Sequence, residues 1–292
     1  MERSLFIMNH QLILASGSPR RLELLQQIGI RPIVIKSRIQ EQITESDPAL
    51  VVEELSRQKA MDVAENLEEY MIESSLSDMT SGLSETNIDP VPVFHPSQAL
   101  VLGADTVVAC DGKILGKPHS HDEAFQMIQM LQGRDHQVFT GVTLVIPGGK
   151  DQVRNKMTNG QLPLAKEGIP QSRSGMLKVD EETDRRTSLK FDEESDRRTS
   201  LKFDEKADRQ TSLKFITFHE KTDVHVIPMS EEEIRSYADG SEPMDKAGAY
   251  GIQGSFGKFI DRISGDYYNV VGLPLARVYT TIRKIEAKGL GM

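Results

Sequence analysis

Apolar and polar positions alternate with two different periods in the first quarter of the chain. The segment Gln11–Ala15 is a short apolar run, which is typical of a buried strand. After a turn of serine, glycine and proline, Arg20–Ile28 carries its apolar residues at helical spacing. Arg31–Lys36 predicts a second strand, and Pro48–Asn66 predicts a helix that begins after Asp47. Two strand–helix pairs therefore open the chain.

Regular patterns return after residue 98 and again near the C-terminus. The apolar run Ala99–Gly112 predicts a buried strand that ends in a turn. Further elements follow the same two periods, namely helices over Asp122–Gln132, Ser230–Ala238 and Pro274–Ala287, and strands over Gln137–Ile146 and Asp223–Ile227.

Two stretches between these elements differ in composition. Residues 68–98 are rich in serine, threonine, aspartate and proline, which predicts a helix end followed by a flexible loop. Residues 150–215 contain few apolar side chains, and a twelve-residue repeat begins there at Asp184, Asp196 and Asp208. Three short copies cannot bury a core, so we interpret this stretch as a disordered surface insertion.

The repeat also has a regulatory interpretation. Its sequence Arg-Arg-Thr-Ser-Leu resembles a substrate site of basophilic serine/threonine kinases, with Ser188 and Ser200 as acceptors. Ser212 is a weaker acceptor, because Gln210 replaces the second arginine. Phosphates at these positions would pair with the neighbouring arginines. The repeat is therefore either a plain spacer or a kinase target.

The charge of the chain limits its partners. Its 292 residues carry a formal net charge of −9, which repels the phosphates of a nucleic-acid polymer. A free nucleotide needs only a local cationic pocket and a divalent metal. The charge therefore argues against nucleic-acid binding and leaves nucleotide chemistry open.

The single cysteine and the short apolar runs indicate a compartment. Cys110 cannot form an intrachain disulfide, and its apolar surroundings predict a buried core residue rather than a catalytic thiol. No stretch approaches the ~18 apolar residues of a membrane span. The N-terminal residues lack the pattern of a signal peptide. A soluble cytoplasmic protein is expected.

The first motif with chemical potential is Ser16–Arg21, between the first strand and the first helix. Backbone N–H groups at a helix N-terminus, together with hydroxyls and two guanidinium groups, form a site for phosphate oxygens. The alternative is a simple helix start, with Ser18 as the cap and Pro19 in the first turn. Capping does not explain the pair Arg20 and Arg21.

Two further motifs each contain one charged residue, in a strand and beside a turn respectively. Asp105, in Gly103–Thr106, is a carboxylate in an apolar strand, which is costly without a cation, a metal or a reacting water. Lys117, in Gly112–Pro118, offers a point charge that suits phosphate. A structural carboxylate and a solvated hairpin lysine are the alternatives.

The last two motifs are Gly133–Gly141 and Met244–Gly254. His136, in the first of these, could act as a general base, but the preferred interpretation is a hydrogen-bonded structural histidine. The second motif is rich in glycine, and Gln253 offers an amide that can recognise a base edge. Its glycines do not join a strand to a helix, which excludes a dinucleotide-binding fingerprint.

In this order, the motifs SGSPRR, GADT, GKP, GRDHQVFTG and DKAGAYGIQG resemble the Maf family over residues 10–150 and 215–285. The resemblance implies one α/β domain over residues 10–285, related to inosine triphosphate pyrophosphatases. Its elongated mixed sheet would be flanked by helices, with a central cleft between two lobes. The implied reaction cleaves a nucleoside triphosphate between its α- and β-phosphates with Mg²⁺ or Mn²⁺.

The resemblance also implies roles for individual residues. Asp105 matches the catalytic carboxylate, and Glu41 matches an acidic position near the metal, so both are expected to hold it. The expected phosphate contacts are Ser16, Arg20, Arg21, Lys59, Lys117 and Lys246.

The same resemblance indicates a substrate. Arg20, Thr106 and Gln253 match the branch that resembles dTTP/UTP pyrophosphatases, and the chain lacks the tryptophan of the 7-methyl-GTP branch. Removal of dTTP, UTP and modified pyrimidine triphosphates from the nucleotide pool, and a homodimer, would follow from this resemblance. The alternatives are a pyrophosphatase for 7-methyl-GTP or other nucleotides, and a nucleotide-binding regulator that acts through the repeat insertion.

Overall fold

The computed structural model describes residues 8–72, 96–146 and 213–288, which all belong to one compact unit. The repeats, with Ser188 and Ser200, lie outside the described residues. So does most of the loop expected over residues 68–98.

Seven strands form one mixed sheet. Its main path runs β2–β1–β3–β5–β6–β7, and the short β4 pairs with the end of β3. The strands are β1 (Gln11–Leu14), β2 (Ile33–Val34), β3 (Ala99–Cys110), β4 (Lys113–Leu115), β5 (Asp135–Ile146), β6 (Lys214–Val226) and β7 (Ile260–Ser264).

Helices flank this sheet, as expected for an α/β fold. They are α1 (Pro19–Gln27), α2 (Pro48–Glu65), α3 (His121–Leu131), α4 (Glu231–Ala238), α5 (Tyr267–Val271) and α6 (Leu275–Lys288). Capping side chains define several starts: Asp47 accepts hydrogen bonds from the first turn of α2, and Ser230 forms a capping box with Glu233. None of the helices in the described ranges has an apolar stretch of the length required for a membrane span.

The long strand β3 changes its neighbour midway along one edge. Residues Ala99–Leu102 pair with β1 in parallel, whereas Val108–Cys110 pair with β4 antiparallel. The other edge pairs with β5, where Asp105 lies opposite Gly141. Among the described strands, none covers residues 103–107 on the first edge. This break leaves the middle of β3 accessible from that side.

Two glycines bring α2 unusually close to the sheet. A Cβ atom on Gly103 would lie 2.4 Å from the backbone oxygen of Ser56, and one on Gly141 would lie 2.1 Å from that of Val52. Any side chain at either position would therefore displace the helix. Because α2 packs directly on the backbone of β3 and β5, its next turn carries Lys59 to the break in β3.

Two large hydrophobic clusters lie at opposite ends of the long strands. One contains Leu100 and Leu102 of β3 with residues of α1 and α6, and the other contains Val108 and Cys110 with residues of α3 and α4. Cys110 is buried as predicted, and burial raises the pKa of its thiol, which favours an unreactive form.

The sequence misplaced some boundaries. Residues 67–72 are helical, with Leu67 and Tyr70 buried, so residues 68–72 do not belong to the flexible loop expected over residues 68–98. Strand β6 begins at Lys214, nine residues before the predicted Asp223, because Phe215 and Ile216 pair with β5. Residues 213–215 therefore pack with the sheet and do not belong to the disordered insertion expected over residues 150–215. The short elements β7 and α5 were not predicted.

Candidate active site

A cleft of about 1070 Å³ opens at the break in β3. Its walls come from the β1–α1 loop, the segment after β2, α2, the middle of β3, and the segment Asp245–Gly254. All the site residues predicted from the sequence line this one cleft, namely Ser16, Arg20, Arg21, Glu41, Lys59, Asp105, Thr106, Lys117, Lys246 and Gln253.

Lys59 lies between the two predicted carboxylates. Its Nζ donates a hydrogen bond to Asp105 Oδ1 and lies 3.1 Å from Glu41 Oε1. The side chains of Lys59 and Asp105 are only 15% and 16% exposed, so solvent screens their interaction weakly. One lysine thus faces two carboxylates in this part of the cleft, and Arg21 also interacts electrostatically with both of them.

The donor set here suits a hard divalent cation. Within the described ranges no group of three or more histidine, cysteine, aspartate or glutamate side chains converges on one point. Mg²⁺ typically takes one or two carboxylates and fills its remaining positions with water and substrate phosphates. Asp105 and Glu41, gathered around one lysine, fit that requirement.

Arg21 ties three segments together beneath the cleft. It donates from Nε to the Gly272 oxygen at 2.8 Å, from one terminal nitrogen to Ser16 Oγ at 2.9 Å, and from the other to Thr106 Oγ1 at 3.0 Å. Burial lowers its pKa, but a guanidinium stays charged in proteins. The guanidinium group of Arg21 therefore holds the β1–α1 loop against β3, and it also supplies positive charge to the cleft.

The hydroxyl of Thr106 is held in one orientation. Thr140 Oγ1 donates its only hydrogen to the Asn269 oxygen at 3.0 Å, so the contact of 2.9 Å between Thr106 and Thr140 requires Thr106 to donate. Thr106 accepts in turn from Arg21. Thr106 and Asp105 both line the cleft.

The β1–α1 loop presents its serines to the cleft. Ser18 occupies the N-cap position of α1, as predicted, yet its side chain makes no capping hydrogen bond. Its backbone N–H instead donates to Ser16 Oγ at 3.3 Å. Pro19 occupies the first turn, where a missing N–H costs nothing. The residues Ser18 and Pro19 therefore occupy the positions expected for a helix start, but the Ser18 hydroxyl does not cap the helix.

Distant segments bring two more cations together over one carboxylate. Arg20 lies 3.6 Å from Asp245 Oδ2, and Lys246 Nζ contacts Asp245 Oδ1. The side chain of Asp245 is 63% exposed. An anion with more charge than a carboxylate, such as a polyphosphate, has two cations ready to receive it here.

Lys36 and His119 also line the cleft, and the sequence did not single them out. The side chain of Lys36 lies over Gly17, where an added Cβ would come within 2.8 Å of it. In the sequence, Lys36 is only the last residue of an apolar strand. Its place beside the serine loop depends on a contact between separate segments, which no local pattern reveals.

His136 lies behind the cleft. It is fully buried in β5, and its Nε2 lies 2.7 Å from the hydroxyl oxygen of Tyr250. Burial lowers its pKa to about 4, so it is neutral at physiological pH. It is not among the residues that line the cleft. These contacts agree with the structural interpretation rather than with a general base.

The sequence of this chain matches a known family model and curated relatives. The model described as Maf-like protein matches residues 11–163 and 187–285. The dTTP/UTP pyrophosphatase of Agathobacter rectalis is 38% identical over 94% of this chain and 97% of its own length. The proteins of the same name from Lachnoclostridium phytofermentans and Symbiobacterium thermophilum are 33% and 36% identical, over 94% and 91% of this chain and 95% and 90% of their own lengths.

Proposed function

We propose that this chain, which belongs to the Maf family, is a nucleoside triphosphate pyrophosphatase that hydrolyses dTTP and UTP. The relatives that carry this activity in their names match nearly the whole chain. The observation that carries the proposal is the convergence of Asp105 and the cationic side chains on one cleft. The products would be the nucleoside monophosphate and pyrophosphate.

Asp105 is the residue we assign to the attacking water. Its carboxylate lies in the middle of β3, accepts from Lys59, and has a second oxygen available to accept a proton. The water oxygen forms a bond to phosphorus while the bond from phosphorus to the bridging oxygen breaks. The water proton passes to the carboxylate, and the bridging oxygen leaves with pyrophosphate.

The cations of the cleft stabilise the charge that develops on the leaving group. Arg20 and Lys246 meet at Asp245, and Lys117 lines the cleft from the turn after β4. Fixed positive charge in a partly shielded cleft lowers the barrier without reorganisation during the reaction. Arg21 acts mainly by holding the loop of Ser16 in place.

A divalent cation, Mg²⁺ or Mn²⁺, would be held by Asp105 and Glu41. When bound, it would neutralise phosphate charge and lower the pKa of a bound water. Lys59 would then keep the two carboxylates at a fixed separation.

The preference for pyrimidines is assigned to Arg20, Thr106 and Gln253. All three line the cleft, and Gln253 is exposed on its Gly-rich wall. An amide both donates and accepts, which suits the edge of thymine or uracil. Hydrolysis would remove these nucleotides, or modified pyrimidine triphosphates, from the nucleotide pool of the cytoplasm.

A substrate panel tests the proposal. Pyrophosphate release should be measured side by side for dTTP, UTP, ITP and 7-methyl-GTP with Mg²⁺. The proposal requires the highest kcat/KM for dTTP and UTP. Preference for 7-methyl-GTP would move the chain to another branch of the family, and no turnover of any triphosphate would refute the proposed activity.

We also propose that Ser188 and Ser200 are phosphorylated by a basophilic kinase. The support is the repeated Arg-Arg-Thr-Ser-Leu sequence. Labelled phosphate transfer to wild type but not to the double variant S188A/S200A would support this. Deletion of residues 155–212 should leave dTTP turnover unchanged, whereas loss of turnover would place the insertion in the catalytic unit.

A homodimer is the remaining proposal about partners. Its support is the family resemblance alone, so the test is direct. Sedimentation equilibrium should give about twice the chain mass of 32.6 kDa, and a mass of one chain would refute it.

A further inference from the structure

Glu242 lies behind the wall of the cleft that carries Gln253. It is partly buried in a short 3₁₀ turn and is not among the residues that line the cleft. Its Oε1 accepts from the Tyr237 hydroxyl at 3.0 Å. Its Oε2 accepts from the backbone nitrogen of Ser255 at 3.0 Å and from the Ser255 hydroxyl at 2.8 Å. Three donors thus fix one carboxylate.

The charge of Glu242 is maintained in this position. Burial opposes ionisation, but the hydrogen bonds from Ser255 and Tyr237 outweigh it and lower the pKa of the carboxyl. The group is therefore an anion at neutral pH, and it holds its donors more strongly than a neutral acceptor would.

Gly254 packs directly against this carboxylate. A Cβ atom at Gly254 would lie 2.0 Å from Glu242 Oε1 and 2.6 Å from Oε2. The backbone of Gly254 has a φ of −97°, which other residues also adopt. Glycine is therefore required here by the carboxylate and not by the backbone conformation. Because Gln253 directly precedes Gly254, the contact between Gly254 and the Glu242 carboxylate also restricts the position of the Gln253 backbone.

Glu242 also reaches the phosphate end of the same segment. Its backbone oxygen accepts from Lys246 Nζ at 3.0 Å. Lys246 in turn contacts Asp245, which lies 3.6 Å from Arg20. One residue outside the cleft thus holds both ends of the wall that runs from residue 245 to 254.

We propose that Glu242 is a positioning residue that sets base selectivity, because its carboxylate fixes the Gly254 backbone and so aims Gln253 into the cleft. This inference rests on the proposed function, in which Gln253 recognises the pyrimidine base. It assigns Glu242 no contact with substrate.

The experiment compares kcat/KM for dTTP and GTP among wild type, E242A, E242Q and E233A. E242A removes all three side-chain contacts, so we expect kcat/KM for dTTP to fall roughly tenfold to a hundredfold, mostly through KM, as for a misplacement of about 1 Å. The ratio of dTTP to GTP should fall with it. E242Q should restore the ratio to within about threefold, since its oxygen still accepts from Ser255 and its amide can donate to Tyr237.

E233A is the matched control. Glu233 also accepts a backbone N–H from a serine, Ser230, at 2.8 Å, but it caps α4 outside the cleft. This variant should lower the midpoint of thermal unfolding and leave the ratio of dTTP to GTP unchanged. If E242A behaves like E233A, Glu242 is merely structural and the proposal is wrong.

A double-mutant cycle with G254A tests the contact itself. G254A should reproduce the loss seen in E242A, because the added methyl group displaces the carboxylate. With the carboxylate removed, the same methyl group has space, so G254A in the E242A background should cause no further loss. Additive losses would contradict the assigned contact.

Hydrogen exchange separates this inference from the proposed function. Backbone amides of residues 246–255 should exchange faster in E242A than in wild type or E233A. If wild type does not turn over dTTP, the proposed function fails, and exchange alone then decides whether Glu242 positions the segment. Equal exchange in E242A and E233A would overturn the positioning role.

Discussion

Lys59 of α2 donates a hydrogen bond to Asp105 at the break in β3. This relationship depends on packing far from either charge, because Gly103 and Gly141 let the helix lie directly on the sheet. The close packing of α2 on the sheet therefore places Lys59 next to Asp105, which lies among apolar residues of β3. The proposed role of Asp105 in catalysis therefore depends on this packing.

Substitution of Lys59 by methionine should impair both chemistry and stability. The variant leaves Asp105 without its cation and releases Glu41. Loss of one such electrostatic partner typically lowers kcat by about a hundredfold or more. Unfolding in urea should show a loss of about 1–3 kcal/mol from the unpaired carboxylate. The control is K221M, whose ion pair with Asp223 is well exposed on β6, and equal effects in the two variants would contradict the account.

Substitution of Gly103 by alanine should separate α2 from the sheet. The new methyl group would collide with the Ser56 oxygen, and overpacking of this kind costs about 1–3 kcal/mol. Because the displaced helix carries Lys59, dTTP turnover should fall as well. For the unfolding measurement G116A is the control, since an added Cβ there has no neighbour within 4 Å. Unchanged stability in G103A would show that the close approach is not required.

Acid should destabilise the protein through His136. Its pKa falls from 6.5 to about 4 on folding, so between these pH values the unfolded chain binds a proton that the folded chain does not. Stability from this group is complete above pH 6.5 and is lost as the pH falls toward 4, by about 3 kcal/mol in all at 1.36 kcal/mol per pKa unit.

The measurement is the free energy of unfolding of wild type and H136Q between pH 7.5 and pH 4.5. H136Q should be less stable at neutral pH, because it loses the contact with Tyr250, but its stability should fall less on acidification. Parallel pH profiles in the two proteins would mean that His136 does not titrate as described.

The two neighbouring arginines should respond differently to lysine. Arg21 is buried and donates to three separate partners, so R21K should lower the midpoint of urea unfolding and also the activity. Arg20 is more exposed, and within the described part of the chain its one ion pair is with Asp245, so R20K should mainly raise KM for dTTP. Equal stability losses would contradict the separate roles.

Part of the site could be predicted because several of its residues stand out in short motifs, whereas Glu41 and Lys59 were expected only from the family resemblance. Asp105 stands out as a carboxylate in an apolar strand, and Arg20 and Arg21 stand out at the start of a helix. Such signals are local, so a single sequence carries them. The long strands and helices were also predictable, since Ala99–Cys110 and Pro48–Glu65 have clear periods.

The remainder depends on contacts between distant segments. Lys36 reaches the cleft by lying over Gly17, and Glu242 holds Ser255 thirteen residues later. His136 meets Tyr250 across 114 residues. Strand β7 was missed because its five residues include the charged pair Asp261 and Arg262 and show no strong alternation. Tertiary packing determines these features.

Pyrophosphate release from dTTP by wild type and D105N tests the central claim most directly. Asparagine preserves the size of the side chain but cannot take a proton from water at neutral pH, so turnover should fall by at least about a hundredfold. Thermal unfolding, followed in parallel, should show that D105N is folded. Turnover by D105N within tenfold of wild type, or no pyrophosphate from wild type, would contradict the assignment of Asp105.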